Sequence, residues 1–191
     1  MEIIRQSDAL GSKKDYIIES VEAGKIFVYP TDTIYGIGCD ANNSESVSKI
    51  RNAKGRDTGK PMSVIAPSFD WILENSTATQ ENLAFVKTLL PGPYTVVLKA
   101  KPSAPKDIVS AQKTIGIRMP LNKFTDLVRT IGIPFLTTSA NLSGEEHIKK
   151  ISELPEDIKA LTDIAIDAGE IDGLPSRVFD LTGKDVKIVR F

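Results

Sequence analysis

The chain has 191 residues, 41% hydrophobic and 26% charged, which is typical of a globular protein and sufficient for one compact domain. No apolar run approaches the ~20 residues that cross a bilayer, and the first residues lack a signal-peptide pattern, so we expect a cytoplasmic protein with no membrane partner. A net charge of −1 excludes a protein that is basic throughout, and one cysteine with one histidine leaves too few ligands for a typical zinc site.

Helices and strands are predicted in alternation along the whole chain. Apolar spacing and turn residues predict helices at residues 15–23, 44–53, 79–90, 123–131 and 155–161. They predict strands at residues 25–29, 62–66, 94–100, 114–119, 133–138, 163–167, 177–181 and 186–189. The last strands follow one another without helices between them. We therefore predict a single α/β domain over residues 1–191, with an open, twisted, mostly mixed sheet flanked by helices.

The charges are unevenly spread. Residues 49–60 carry five bases and one acid, Asp57, and residues 99–118 carry five bases and one acid, Asp107. Residues 145–172 carry nine acids and three bases. Two local basic segments on a mildly acidic chain indicate a site for a small polyanion rather than a long nucleic-acid track.

The segment 29–41 (YPTDTIYGIGCDA) follows a predicted strand and is rich in hydroxyl groups and glycines. Such a loop lets backbone N–H groups and threonine hydroxyls approach a ligand closely. Gly36-x-Gly38-x-x-Ala41 fits a loose dinucleotide-binding pattern. We reject that interpretation because the glycines begin well after the predicted strand and do not lead into a helix. An ordinary tight loop is the other interpretation.

Three cations, Lys54, Arg56 and Lys60, are separated by glycines in the segment 54–61 (KGRDTGKP). The glycines would let this loop wrap around a phosphate chain toward which the cations point. It is not a P-loop, since a proline follows Gly59-Lys60. A solvated run of charges would explain the same composition.

Two further segments carry polar groups on predicted strands. Thr114, Gly116 and Arg118 share one face of a strand, and an arginine there needs either a ligand anion or an internal carboxylate. The segment 137–144 (TTSANLSG) places hydroxyls at a strand end, where it could bind a ligand or cap a helix. No serine-hydrolase motif surrounds Ser139, and His147 is interpreted as a surface residue.

Taken in order, these segments closely resemble the YrdC/TsaC family of threonylcarbamoyl-AMP synthases. The matching pieces run from Tyr29 to about Leu181 and read YPTDTIYGIGCDA, KGRDTGKPMSV, LLPGPYTVVL, TIGIRMP, TTSANLSG and PSRVFDL. The resemblance implies a YrdC-like fold with a concave basic pocket. It also implies a nucleotidyltransferase that joins threonine, bicarbonate and ATP into threonylcarbamoyl-AMP and pyrophosphate, with Mg²⁺ carried in by ATP.

The resemblance also implies partners and site residues. A separate tRNA threonylcarbamoyl transferase would use the product to modify tRNA. Lys54 and Arg56 would act in catalysis as part of a triphosphate clamp. Contacts to ATP are implied for Lys54, Arg56, Lys60, Thr114, Ser139, Asn141 and Arg190. Contacts to threonine are implied for Thr33, Arg118, Thr137 and Ser176.

The chain departs from the family pattern at Ile65, where many relatives have histidine, and at Arg177, where threonine is usual. Asp32 replaces the common glutamate, and the chain is expected to be a short form without the extra C-terminal domain. Two alternatives follow: a YciO-like paralogue that acts on a related adenylate or hydrolyses it, and a non-enzymatic module with weak RNA binding.

Overall fold

A ten-stranded mixed sheet organises the protein in a computed structural model that describes residues 1–55 and 62–190. Its strands are β1 (Glu2–Arg5), β2 (Phe27–Tyr29), β3 (Gly36–Gly38), β4 (Ser63–Ile65), β5 (Tyr94–Lys99), β6 (Thr114–Arg118), β7 (Phe135–Ser139), β8 (Ile164–Asp167), β9 (Arg177–Asp180) and β10 (Lys187–Arg190). Their order across the sheet is β1-β8-β2-β3-β7-β4-β6-β5-β9-β10. Parallel and antiparallel pairs alternate irregularly, which confirms the predicted mixed sheet.

The helices that flank the sheet are short. They are α1 (Gln6–Ala9), α2 (Lys14–Glu22), α3 (Ser44–Ala53), α4 (Phe69–Asn75), α5 (Gln80–Leu89), α6 (Lys123–Thr130) and α7 (Glu156–Leu161), with 3₁₀ turns at Lys106–Ile108 and Ile151–Glu153. Several of these helices have an N-cap residue whose side chain accepts a hydrogen bond from the first turn. The Asn43 side chain, for example, accepts from Ser46 N at the start of α3. None of these helices is long and apolar enough to cross a membrane, over the residues described.

Hydrophobic clusters cover both faces of the sheet. In β2, Val28 belongs to the larger cluster, whereas its neighbours Phe27 and Tyr29 belong to the smaller one. Successive side chains of a strand point to opposite faces, so the two clusters are the two halves of the core. In the smaller cluster the Tyr29 ring stacks on Phe124, with centroids 5.4 Å apart, and meets Phe135 edge-on at 5.6 Å.

The sequence missed four elements, β1, α1, β3 and α4. The segment of β3 was predicted as loop because glycine disfavours strands. Here the glycines are needed for close pairing: a Cβ at Gly38 would lie 1.8 Å from the carbonyl oxygen of Leu136. Because β3 is an antiparallel strand beside β2, the rejection of a dinucleotide-binding turn at Gly36 is confirmed.

Candidate functional site

A cavity of about 420 Å³ opens on one face of the central strands. Alternation along each strand directs Gly36, Ser63, Thr95, Gly116 and Thr137 to this cavity. The register places Ser63 between Gly116 and Thr137 on neighbouring strands. A volume in this range is typical of sites for small molecules.

Glycines keep the cavity and its neighbouring loops compact. A Cβ at Gly116 would lie 2.7 Å from the Ser63 hydroxyl oxygen, so a larger residue would push into the cavity floor. A Cβ at Gly173 would lie 1.9 Å from the carbonyl oxygen of Thr33. Glycine at position 173 therefore lets the chain before β9 pack directly on the loop that follows β2.

Arg118, at the end of β6, is the most deeply buried guanidinium that lines the cavity. Its Nη2 donates to Asp32 Oδ1 at 3.2 Å and to Thr33 Oγ1 at 3.0 Å. The internal carboxylate that the sequence left open is therefore present. It does not satisfy the whole group, because Arg118 Nε is buried without a hydrogen-bond partner among the described residues. Burial lowers the pKa of Arg118, although Asp32 opposes the effect.

The loop after β2 is held in place by its own hydroxyl groups. Thr31 Oγ1 donates to the carbonyl oxygen of Ile34 at 2.7 Å and lies 2.9 Å from Thr33 Oγ1. Asp32 Oδ2 accepts from Leu121 N at 3.0 Å, just beyond β6. These bonds attach the loop to the Arg118 end of β6 and leave Thr33 buried directly behind Arg118.

Lys54 lies just after α3 and is 1% exposed. Its ammonium group donates to the carbonyl oxygens of Ser139, at 2.8 Å, and of Asn141, and to Asn141 Oδ1 at 3.0 Å. Asn141 Nδ2 in turn donates to the carbonyl oxygen of Glu145 at 2.6 Å. Lys54 therefore orders the turn that follows β7, a role that the sequence did not predict.

Arg190, on the edge strand β10, reaches the other side of the same cavity. Its Nε donates to the carbonyl oxygen of Ser176 and its Nη2 to the Ser176 hydroxyl, each at 2.9 Å. Ser176 Oγ also lies 2.8 Å from Thr95 Oγ1. Burial lowers the pKa of Arg190, and the charge of Arg190 further lowers the pKa of Arg118. Two guanidinium groups thus face one cavity closely enough to repel each other.

The cavity brings together most of the predicted site residues that the structure describes. Those that line it are Arg118, Thr137, Ser139, Asn141, Ser176 and Arg190. Thr33 and Lys54 lie behind this lining and bond to it. Thr114 is elsewhere, at the other end of β6, where its hydroxyl lies 2.7 Å from Ser110 Oγ. Arg56 and Lys60 fall outside the described residues.

Several lining residues were not predicted for the site. Thr95 reaches the cavity from β5, and Glu145 and His147 reach it from the chain after the Ser139–Asn141 turn. His147, which the sequence analysis interprets as a surface residue, is half-buried and lines the cavity. A hydroxyl on an alternating strand was the only signal for Thr95, and the sequence offered none for His147.

Neither of the two residues that depart from the family pattern lines the cavity. Ile65 is buried in the smaller hydrophobic cluster and pairs with Arg118 across β4 and β6. Arg177 is exposed and is absent from the cavity lining, whereas its neighbour Ser176 is buried. The strand alternation of β9 therefore directs Arg177 away from the site.

Among relatives, the threonylcarbamoyl-AMP synthase of Vibrio campbellii is 29% identical over 87% of this chain and 92% of its own length. That of Bos taurus is 34% identical over 86% of this chain and 62% of its own length. P. abyssi Sua5 complexed with L-threonine superposes with a TM-score of 0.87 at 28% identity, covering 99% of this chain, which spans 56% of that structure. E. coli YciO superposes with a TM-score of 0.86 at 26% identity, covering 99% of this chain and 93% of YciO.

The family-level comparison agrees with these matches. A family model for Sua5, YciO and YrdC, described as "Telomere recombination", matches residues 19–191. The match includes every strand except β1 and every segment that forms the cavity. The chain belongs to the Sua5/YciO/YrdC family.

Proposed function

We propose that the chain is an L-threonylcarbamoyl-AMP synthase, which forms threonylcarbamoyl-AMP and pyrophosphate from threonine, bicarbonate and ATP. The observation that carries this proposal is the convergence of Arg118 and Arg190 on one cavity, where Arg118 Nε has no partner among the described residues. A buried guanidinium, Arg118, and a second, exposed guanidinium, Arg190, lie beside buried hydroxyls and are arranged for an anionic ligand. The structure of P. abyssi Sua5, which superposes on 99% of this chain, is a complex with L-threonine, and this supports threonine as one ligand of the cavity.

In this proposal the amino acid occupies the Arg118 side of the cavity. Arg118 binds the threonine carboxylate, and Thr33, Thr137 and Ser176 surround the rest of the substrate. The uncharged amine attacks carbon dioxide with loss of a proton, or bicarbonate with loss of water, to form a carbamate. A carbamate oxygen then attacks the α-phosphate of ATP and displaces pyrophosphate. Holding the two anions together is the main task of the protein, because the reaction needs alignment and charge neutralisation more than a dedicated acid–base pair.

ATP occupies the side formed by the Ser139–Asn141 turn and Arg190. Lys54 holds this turn in place through its hydrogen bonds to Ser139 and Asn141. It therefore supports nucleotide binding whether or not it also contacts a phosphate. Arg56 and Lys60 are proposed to clamp the triphosphate together with the Mg²⁺ that enters with ATP. Thr114 is the weakest of the proposed ATP contacts, because its hydroxyl bonds to Ser110 away from the cavity lining.

The product defines the downstream partner. A carbamoyl-adenylate is a mixed anhydride that hydrolyses in water, so a transferase that acts on tRNA is proposed to consume it promptly. This test identifies the product: purified protein is incubated with ATP, Mg²⁺, threonine and labelled bicarbonate, and the nucleotides are analysed by mass spectrometry. We expect an adenylate that carries both the label and threonine, and finding AMP alone in freshly quenched samples would reject the synthase.

A YciO-like activity is the second candidate, favoured by the superposition on 93% of E. coli YciO and by the loss of the family histidine at Ile65. Such an enzyme would hydrolyse or transfer a related adenylate instead of making threonylcarbamoyl-AMP. Supplying synthetic threonylcarbamoyl-AMP separates the two: rapid hydrolysis without pyrophosphate favours the YciO-like activity, whereas ATP formation on addition of pyrophosphate favours the synthase.

Weak RNA binding is the third candidate, and the cavity argues against it. Among the described residues its lining contains two arginines, one glutamate and one tyrosine, Tyr35, which is fully buried and donates to the carbonyl oxygen of Gly169, so the lining offers no exposed phenol ring on which a base could stack. A filter-binding titration with tRNA between low and high salt tests this candidate. Contacts with phosphates make RNA binding fall steeply as salt rises, so a steep fall supports RNA binding and indifference to salt favours a small-ligand cavity.

A further inference from the structure

Tyr29 lies directly behind the cavity wall and is fully buried. Its hydroxyl oxygen is 2.6 Å from Thr137 Oγ1, and Thr137 lines the cavity. Gly36 makes room for the phenol, because a Cβ there would lie 3.3 Å from the Tyr29 hydroxyl oxygen. Tyr29 itself is not part of the cavity lining.

The direction of this hydrogen bond follows from the surroundings of the phenol. The Tyr29 ring packs between Phe124 and Phe135, which offer no acceptor. Among the described residues, Thr137 Oγ1 is the one acceptor that the Tyr29 hydroxyl reaches. If Thr137 donated instead, a buried phenol proton would be left unpaired, at a cost of about 1–3 kcal/mol. Tyr29 is therefore the donor.

A threonine hydroxyl has one proton and two lone pairs. Since Tyr29 occupies one lone pair of Thr137, the proton of Thr137 is free to point elsewhere. It donates to no described residue, although Thr137 is only 2% exposed. The other unused donor nearby is Arg118 Nε, and Arg118 is close enough to Tyr29 to interact with it electrostatically.

We propose that Tyr29 is a positioning residue that directs the Thr137 hydroxyl proton into the cavity, where it and Arg118 Nε donate to one oxyanion of the amino-acid substrate. This inference rests on the proposed function and adds a residue and a direction to it. The oxyanion is a planar carboxyl-type group, either the carboxylate of the amino acid or the carbamate formed from its amine. Burial also raises the pKa of Tyr29, so the phenol keeps the proton that it donates.

The test measures steady-state constants and direct binding for Tyr29→Phe, which keeps the ring packing and removes only the hydroxyl. We expect the KM for threonine or bicarbonate to rise about five- to tenfold while kcat changes less than about twofold. Calorimetric titration with threonine alone separates the two oxyanions: weaker binding without bicarbonate identifies the carboxylate, and a change confined to the KM for bicarbonate identifies the carbamate.

Two controls separate positioning from general damage. Tyr16→Phe removes the hydroxyl of an exposed tyrosine that bonds to Glu2, and should leave all constants unchanged. Thr137→Ser keeps the hydroxyl donor and should therefore raise the KM for threonine less than Thr137→Val does. In the Thr137→Val background, adding Tyr29→Phe should produce no further increase in KM, because Tyr29 acts through Thr137.

An unchanged KM and threonine affinity in Tyr29→Phe, or an additive effect in the double variant, would overturn the inference. A failure of the proposed function looks different, since the parent protein itself would then show no threonine-dependent turnover. In that event calorimetry decides the role of Tyr29: weaker threonine binding by Tyr29→Phe than by the parent supports it, and equal binding or none by the parent rejects it.

Discussion

Arg190 holds Ser176 with two hydrogen bonds, from Nε to its carbonyl oxygen and from Nη2 to its hydroxyl, each 2.9 Å long. These bonds attach the exposed edge strand β10 to the residue that precedes β9 and lines the cavity. The same guanidinium lines the cavity, so one side chain both closes the strand pair and adds positive charge to the site.

In the proposed function Arg190 contacts ATP, so replacing it should affect the use of the nucleotide most, with a smaller effect on threonine through Ser176. We expect Arg190→Ala to raise the KM for ATP about tenfold, and Arg190→Lys to recover only part of the loss because lysine cannot make the paired bonds. Lys187→Ala on the same exposed strand is the matched control and should have no effect. An unchanged KM for ATP in Arg190→Ala would remove Arg190 from the site.

Lys54 is expected to contribute to stability as well as activity. Lys54→Met keeps the length of the side chain but leaves the carbonyl oxygens of Ser139 and Asn141 without their ammonium donor. The free energy of unfolding should fall by about 2–4 kcal/mol, measured by urea denaturation, and the KM for ATP should rise. Lys49→Met, on the exposed side of α3, should leave the free energy of unfolding nearly unchanged. Equal losses from both variants would contradict the supporting role of Lys54.

Arg118 should govern the use of threonine. Arg118→Ala removes the buried guanidinium and leaves the Asp32 carboxylate without its cationic partner. We therefore expect the KM for threonine to rise about 30-fold or more, while the KM for ATP changes far less. The control is Arg129→Ala, which removes an arginine that pairs with Asp126 on α6. If both arginine variants changed the KM for threonine alike, the amino-acid site would have to lie elsewhere.

Arg177 should be dispensable for specificity although the family usually has threonine there. Its side chain is exposed and does not line the cavity, so Arg177→Thr should leave the KM for threonine and for ATP within about twofold of the parent values. Steady-state kinetics with threonine and serine as substrates would detect a change. A shift in the preference between the two amino acids would show that Arg177 reaches the substrate.

Cys39 should be unreactive in the folded protein. It is buried, and burial raises the pKa of its thiol above the ordinary range, so the thiolate is scarce at neutral or mildly alkaline pH. A disulfide exchange reagent at pH 8 should release no product from native protein and one equivalent from protein unfolded in urea, because the chain has one cysteine. Rapid reaction of the native protein would contradict the burial of this side chain.

Much of the fold could be predicted from the sequence because local patterns matched the final elements. Predicted strands at residues 94–100 and 114–119 correspond to β5 and β6, and the predicted helix at residues 15–23 corresponds to α2, after which Gly24 takes a positive φ of 71°. The strand at Gly36–Gly38 was not predicted, because its conformation depends on close contact with β7 rather than on the strand propensity of its own residues.

The site was predictable only as far as side-chain type and strand alternation could determine it. Alternation placed Gly116 and Arg118 on one strand face, and both line the cavity. Alternation also placed Thr114 on that face, but it cannot reveal how far along the strand a cavity extends. The supporting contacts of Lys54 with Ser139, 85 residues away, and of Tyr29 with Thr137, 108 residues away, depend on the tertiary structure.

The central claim is that threonine and bicarbonate are obligatory for the reaction with ATP. Pyrophosphate release by the purified protein, with ATP and Mg²⁺ present, tests it most directly when each remaining substrate is left out in turn. We predict release only when threonine and bicarbonate are both supplied. A rate that stays the same without threonine would contradict the account.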